Sequence, residues 1–236
     1  VTIEAAAGRG FGGWKAALGA GLIGALVGGG AVVYASRQSV RDYLLENPEV
    51  IPEAMQRLQD RNAARAVAAN RAALETPFAG AWAGAADADV VLVEFFDYAC
   101  AYCRKSNADV ERLLREDPRL KVVWREWPVL GPDSEAAARL SLAAAEASRF
   151  KPFHDRLFAA GRPSADSLGK ARASVGLGGD LPAAITDQEL AKNFQLARSL
   201  EATGTPTFVV GDRILQGAVG YEALRDAVKA ARERRG

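Results

Sequence analysis

Hydrophobic and polar positions divide this chain into stretches with different periods. Residues 16–35, AALGAGLIGALVGGGAVVYA, carry no charge, and a helix of that length, at about 1.5 Å per residue, reaches about 30 Å, the thickness of a bilayer's hydrocarbon. The segment predicts a membrane anchor, or a secretory signal cut after Ala35 with Val33 and Ala35 as the small residues of the cleavage site. Residues 39–75 read as a short helix, a break at Asn47-Pro48 with Asn47 as N-cap, and a long helix. Its apolar positions Ile51, Met55, Leu58, Ala66, Ala69 and Ala73 fall near one face that Asn62 and Arg65 interrupt. Such a thin stripe suits a solvated spacer or half of an oligomer seam. TPFAGAWAGAADA, residues 76–88, reads as a connection.

Beyond it the pattern alternates. VVLVEFF, residues 90–96, is a nearly continuous apolar run, as a strand buried on both faces requires, and Glu94 is its one charge. A helix is predicted from about Cys100 to Glu116, then a strand in LKVVWREW, residues 120–127. Helical stretches follow at Ser134–Ala147, Pro152–Ala160 and Ser164–Val175. In the next one, Thr186 and Glu189 have capping-box spacing, Leu190, Phe194 and Ala197 share a face, and Gly204 is placed to end it. TFVV and RILQ flank Gly211-Asp212, a hairpin signal, and a final helix carries Tyr221, Leu224 and Val228 on one side. The expected organisation is a tail with the anchor or signal over residues 1–36, a helical stalk over 37–76, and an α/β domain over 77–236 with a helical insertion at about 133–201.

Composition narrows the chemistry. Thirty basic residues face twenty-nine acidic ones for a formal charge of +1, with no basic block of the kind that tracks phosphates, so nucleic acid is not an expected partner. The 49% hydrophobic and 25% charged content is that of a globular chain, not a disordered one. Two cysteines and the single His154 cannot furnish the four ligands of a structural zinc site, so no metal site is assigned. Cys100 and Cys103 are also too close in sequence to staple a fold, because loop-closure stabilisation grows with loop length. A bond between them is expected to be made and broken.

A helix starting near Cys100 would place Cys103, Val110 and Leu114 on one face, turning Cys103 inward and leaving Cys100 at an exposed first turn. Unpaired N–H groups and the helix dipole there favour a thiolate on Cys100, with Arg104 and Lys105 adding positive charge nearby. Thr205-Pro206 suits a cis bond and an extended edge to which a polypeptide could add as a strand. Glu94, a carboxyl in an apolar strand, would relay a proton if it lay by Cys103; the alternative is a pairing with Arg125 or Lys121. His154, Trp124, Trp127 and Phe153 read as structural.

VEFFDYACAYCR, REWPVLGPDSEAAARLSLAA and GTPTFVVGDRILQGAVGYEAL resemble the DsbA-like branch of the thioredoxin superfamily, over residues 77–236. The resemblance implies a thioredoxin fold with an inserted helical subdomain. By position it implies Cys100 as nucleophile, Cys103 as resolving thiol, Glu94 as buried acid, and Thr205, the cis Pro206, Ala101 and Tyr102 as client contacts. It implies no cofactor beyond the Cys100–Cys103 disulfide, exported cysteine-containing proteins as substrates, a periplasmic or other extracytoplasmic location, and a membrane oxidase or reductase as redox partner. Tyr102 stands where strongly oxidising relatives carry histidine, so oxidase and isomerase both stay open. RDYLLENPEVIPEAMQRLQ resembles the N-terminal helices of trimeric Scs-type isomerases, which implies homo-oligomerisation through residues 39–75. Two other readings remain: a Cu(I)-binding thiol module, since two thiolates suit a soft ion, and an oligomeric scaffold with a vestigial site.

Overall fold

The computed structural model describes residues 39–234; the predicted anchor or signal lies outside them. Among the described residues no helix is long and apolar enough to cross a membrane. The chain divides into two compact units between Leu58 and Gln59.

In the first unit residues 39–46 form α1, and α2 begins at Val50 and runs to Glu75. The break at Asn47-Pro48 is present, but Asn47 does not cap α2 with its side chain. Its amide donates back to the Tyr43 carbonyl at 2.9 Å, the same oxygen that accepts the Asn47 backbone N–H at 2.8 Å. Val40, Tyr43, Leu45, Ile51, Met55 and Leu58 are exposed.

In the second unit a five-stranded sheet is built from β1 (Trp82–Gly84), β2 (Val90–Phe96), β3 (Leu120–Glu126), β4 (Thr207–Val210) and β5 (Arg213–Gln216), in the order β1-β3-β2-β4-β5. β2 and β3 are parallel, joined through α3 (Ala101–Glu116); the other pairs are antiparallel. Between β3 and β4 the chain inserts α4 (Pro132–Glu146), α5 (Phe150–Ala160), α6 (Ala165–Ser174) and α7 (Ala183–Ser199), and α8 (Tyr221–Glu233) ends the fold. This mixed α/β architecture is the thioredoxin arrangement with a helical insertion.

β1 falls inside the stretch expected to be a connection. Its glycines look like linker residues, yet they mark close approach. Gly84 has φ +96°, and a Cβ there would stand 2.2 Å from the Leu120 carbonyl oxygen across the β1–β3 pair. Glycine alone tolerates both conditions.

The alternation of β2 sorts its side chains onto two cores. Val90, Leu92 and Phe96 pack with Val110, Leu113, Leu224 and Val228 of α3 and α8. Val93 and Phe95 pack with Val67 and Leu74 of α2 and Leu196 and Ala197 of α7. The second half of α2 is therefore core rather than spacer. Glu94 shares the parity of Leu92 and Phe96, which puts it on the α3 face.

Thr186 and Glu189 form no capping box, because α7 starts at Ala183 after a Pro182 N-cap. Thr186 Oγ1 donates to the Ala183 carbonyl and accepts from Arg139, while Glu189 Oε1 accepts from Arg125 Nη1 at 2.8 Å. Arg125, on the α2/α7 face of β3, is 0% exposed; its Nη2 donates to the carbonyls of Ala73, Leu74 and Thr76. It thus closes the end of α2. Nor does Gly204 end α7, which stops five residues earlier with Leu200 as C-cap.

Candidate active site

Cys100 is the N-cap of α3. Its backbone is extended, with φ −78° and ψ 117°, and its sulfur accepts the Cys103 amide N–H at 3.4 Å, as a serine or aspartate would at that position. The thiols of Cys100 and Cys103 are free. Hydrogen bonds hold the Cys100 thiol down at about 5: the Cys103 side chain first, then the Thr205 side chain and the amides of Cys103 and Tyr102, against an opposing effect of burial. Cys103 is 0% exposed, and burial, its bond to Cys100 and the charge of Glu94 push its pKa far up. Two chemically identical groups are thus split into a ready thiolate and a protonated thiol.

The sequence places Cys100 at an exposed turn; the structure instead leaves it 6% exposed. The loop before β4 accounts for this cover, since the Thr205 carbonyl accepts from Cys100 Sγ at 3.3 Å. The Thr205-Pro206 bond is cis, Pro206 is buried and Thr205 half-buried. Ala101 and Tyr102 face outward, Tyr102 being 66% exposed.

Glu94 is buried, and it pairs with neither Arg125 nor Lys121. Across the parallel register it lies opposite Trp124, whose indole N–H donates to Glu94 Oε2 at 3.0 Å. Burial raises the Glu94 carboxyl to about 8, partly offset by that indole bond, and the charges of Glu111 and Cys100 push the same way as burial. Trp124 reads as plain core in the sequence, and only the strand register discloses its contact. The group is protonated in the folded chain near neutral pH, whereas an unfolded glutamate is ionised. Its contribution to stability is therefore complete below about 4.5 and lost as pH rises through about 8. In the oxidised protein, where neither thiol titrates, urea unfolding should show this decline between pH 5 and 8, and Glu94→Gln should remove it.

His154 is buried among Phe96, Tyr98, Trp124, Phe150 and Phe158. Burial holds its pKa well below the usual imidazole value, with Lys151 acting in the same direction. Its Nε2–H donates to Asn107 Oδ1 at 3.2 Å, leaving Nδ1 to accept from the Tyr98 hydroxyl at 3.2 Å. Asp97, which the sequence did not single out, is 1% exposed; its side-chain oxygens accept the amides of Ala99, Val129 and Leu130, tying the turn before Cys100 to the loop after β3.

Residues 91–229 match the DsbA-like thioredoxin domain family, and residues 37–65 match the copper resistance protein ScsC N-terminal domain. A linker-deletion variant of Proteus mirabilis ScsC superposes with a TM-score of 0.71 at 31% identity, over 84% of this chain and 93% of that one. A thioredoxin-like oxidoreductase from Silicibacter pomeroyi DSS-3 gives a TM-score of 0.61 at 35% identity, over 68% and 95%. The Na(+)/H(+) antiporter NhaA 1 of Salinispora arenicola is 33% identical over 160 residues, 63% of this chain; the chain spans 24% of that relative's length. A cis Thr205-Pro206 edge against a helix-capping cysteine, and a family match over most of the second unit, lead to one assignment: the chain belongs to the DsbA-like thioredoxin domain family.

Proposed function

We propose that the protein is a thiol–disulfide oxidoreductase that exchanges disulfides with cysteines of exported proteins through a mixed disulfide at Cys100. The observation that carries this reading is the placement of the two thiols: Cys100 caps α3 and accepts the Cys103 amide at 3.4 Å, whereas Cys103 is 0% exposed, in keeping with Cys100 held at about 5 and Cys103 pushed far up. In the bridged form a client thiolate attacks Cys100 Sγ, the Cys100–Cys103 bond breaks, and the Cys103 sulfur leaves with the electron pair. Glu94, protonated and within electrostatic reach of Cys103, supplies that sulfur with its proton. A second client thiolate then attacks the client sulfur and expels Cys100 as the thiolate its helix cap stabilises. Two electrons pass from the client dithiol to the pair. In this reading the Thr205-Pro206 edge, Ala101 and Tyr102 receive client backbone. The cavity of about 410 Å³ lined by Trp127, Val129, Phe194, Arg198 and Ala202 lies beside the same loop.

A thiolate stabilised to about 5 lies between thioredoxin's, at about 7, and DsbA's, at about 3.5. The reduction potential is expected between their values of about −270 and about −120 mV. Equilibrating the full chain with glutathione buffers measures it, and a value at or below thioredoxin's would remove the oxidising role. The proposed setting is the periplasm, with a membrane oxidase or reductase resetting the pair.

The reading includes a homo-oligomer formed through the N-terminal segment. Support comes from the ScsC N-terminal match and from Ile51, Met55 and Leu58, which share one face of α2 and are 50%, 57% and 49% exposed. Met55→Glu with Leu58→Glu is expected to reduce the mass seen by sedimentation to that of one chain. If the unaltered protein already sediments as a monomer, the oligomer is wrong.

A further inference from the structure

The stretch that covers Cys100 has no regular secondary structure of its own. α7 closes with Glu201 at φ +53°, the amides of Glu201 and Ala202 reaching back to the carbonyls of Arg198 and Ala197 at 3.1 and 3.0 Å. From there to β4 the chain crosses residues 202–206 outside any helix or strand. Something other than a backbone ladder must hold it.

One side chain recurs along it. Gln216 is the last residue of β5, directly opposite Thr207 in the β4–β5 pair. Its Nε2 donates to the Glu201 carbonyl at 3.4 Å. Its Oε1 accepts from the Thr203 amide at 3.2 Å, from Thr203 Oγ1 at 3.3 Å and from Thr207 Oγ1 at 2.9 Å. A backbone N–H can only donate, so the Thr203 amide fixes which end of the Gln216 amide faces it. The Thr207 hydroxyl also reaches the Gly204 carbonyl at 2.7 Å and shares its single proton between the two acceptors. Next along, Gly217 N–H donates to the Pro206 carbonyl at 2.8 Å. Thr205 lies inside this frame: its carbonyl accepts from the Cys100 thiol at 3.3 Å, and its side chain supplies a hydrogen bond that lowers the pKa of that thiol.

We infer that Gln216 is a positioning residue for the exchange reaction, holding residues 201–207 so that Thr205 stands against the Cys100 sulfur. It touches neither the thiols nor a client. It acts through Thr203 and Thr207 on the residue that does. The inference rests on Cys100 being the attacking thiol, and the test separates the two ideas.

Gln216 is exposed, so replacing it removes no buried packing. Gln216→Met keeps the length and loses the acceptor oxygen; Gln216→Glu keeps an acceptor and loses only the donation to Glu201. Thiolate absorbance and iodoacetamide alkylation, followed against pH on the reduced full chain, read Cys100 without any client. With Met, the Thr205 side chain, whose hydrogen bond lowers the pKa of the Cys100 thiol, is no longer held in place, and the midpoint should rise by about one unit, the scale of one lost hydrogen bond to a charged group, slowing alkylation at pH 5 about fivefold. With Glu it should stay closer to the wild-type value, and near-ultraviolet circular dichroism should be unchanged in both. A Met variant with the wild-type midpoint, or Met and Glu variants raised equally, would overturn the inference. If instead the wild-type thiol titrates like free cysteine, the role of Cys100 itself fails.

Discussion

Replacing Cys100 with alanine is expected to abolish thiol–disulfide exchange, a loss of about a thousandfold or more, the scale at which removing a covalent nucleophile acts. Cys103→Ala should behave differently. It keeps the helix-capping sulfur and its amide hydrogen bonds, so Cys100 still attacks, but nothing displaces the client, and a mixed disulfide accumulates that non-reducing gels would resolve. The wild-type alkylation profile should have its midpoint near 5, where the cap and Thr205 hold the thiolate. Because the Cys103 side chain is the largest contributor to that shift, its alanine variant should move the midpoint upward. Equal alkylation of both thiols, or exchange surviving in Cys100→Ala, would sink the mechanism. In the reduced protein this depressed group also adds stability that is fully present above about pH 9 and lost as pH falls through about 5.

The second large effect concerns folding. Glu189→Ala leaves the Arg125 guanidinium, 0% exposed, without its counter-charge. Removing one partner of a buried ion pair costs about 3–5 kcal/mol, because the remaining charge stays desolvated. At about 2 kcal/mol per molar urea, the unfolding midpoint should fall by about 2 M. The paired replacement Arg125→Met with Glu189→Leu removes both charges and should be markedly milder. If Glu189→Ala unfolds at the wild-type urea concentration, the pair carries no such weight, and Asn193 with the carbonyls of Ala73, Leu74 and Thr76 satisfies Arg125.

These two residues also illustrate what a sequence can disclose. β2, β3, α3 and the β4–β5 hairpin were legible because their signals are local: a continuous apolar run, CxxC at a helix start, Gly-Asp between two short strands. The inward turn of Cys103 followed from the same helix geometry. Glu189 was misread because the spacing from Thr186 imitates a cap, while its true partner lies 64 positions away on β3. The Trp124 bond to Glu94 depends on strand register, and the frame around Gln216 on a pairing between two strands and a loop. β1 was hidden for the opposite reason: Gly84, which lets it approach Leu120, is of the residue type that marks linkers elsewhere. The cover over Cys100 was invisible too, since a loop more than a hundred residues later provides it.

The grip of Arg125 on the last carbonyls of α2 bears on how a shortened protein should be cut. A fragment begun at the apparent linker near Thr76 would discard Val67 and Leu74, open one side of the sheet to water and strip Arg125 of the carbonyls of Ala73 and Leu74. One begun at Gln59 would retain all of these, so the boundary for a minimal active piece lies well upstream of where glycine and proline suggest it.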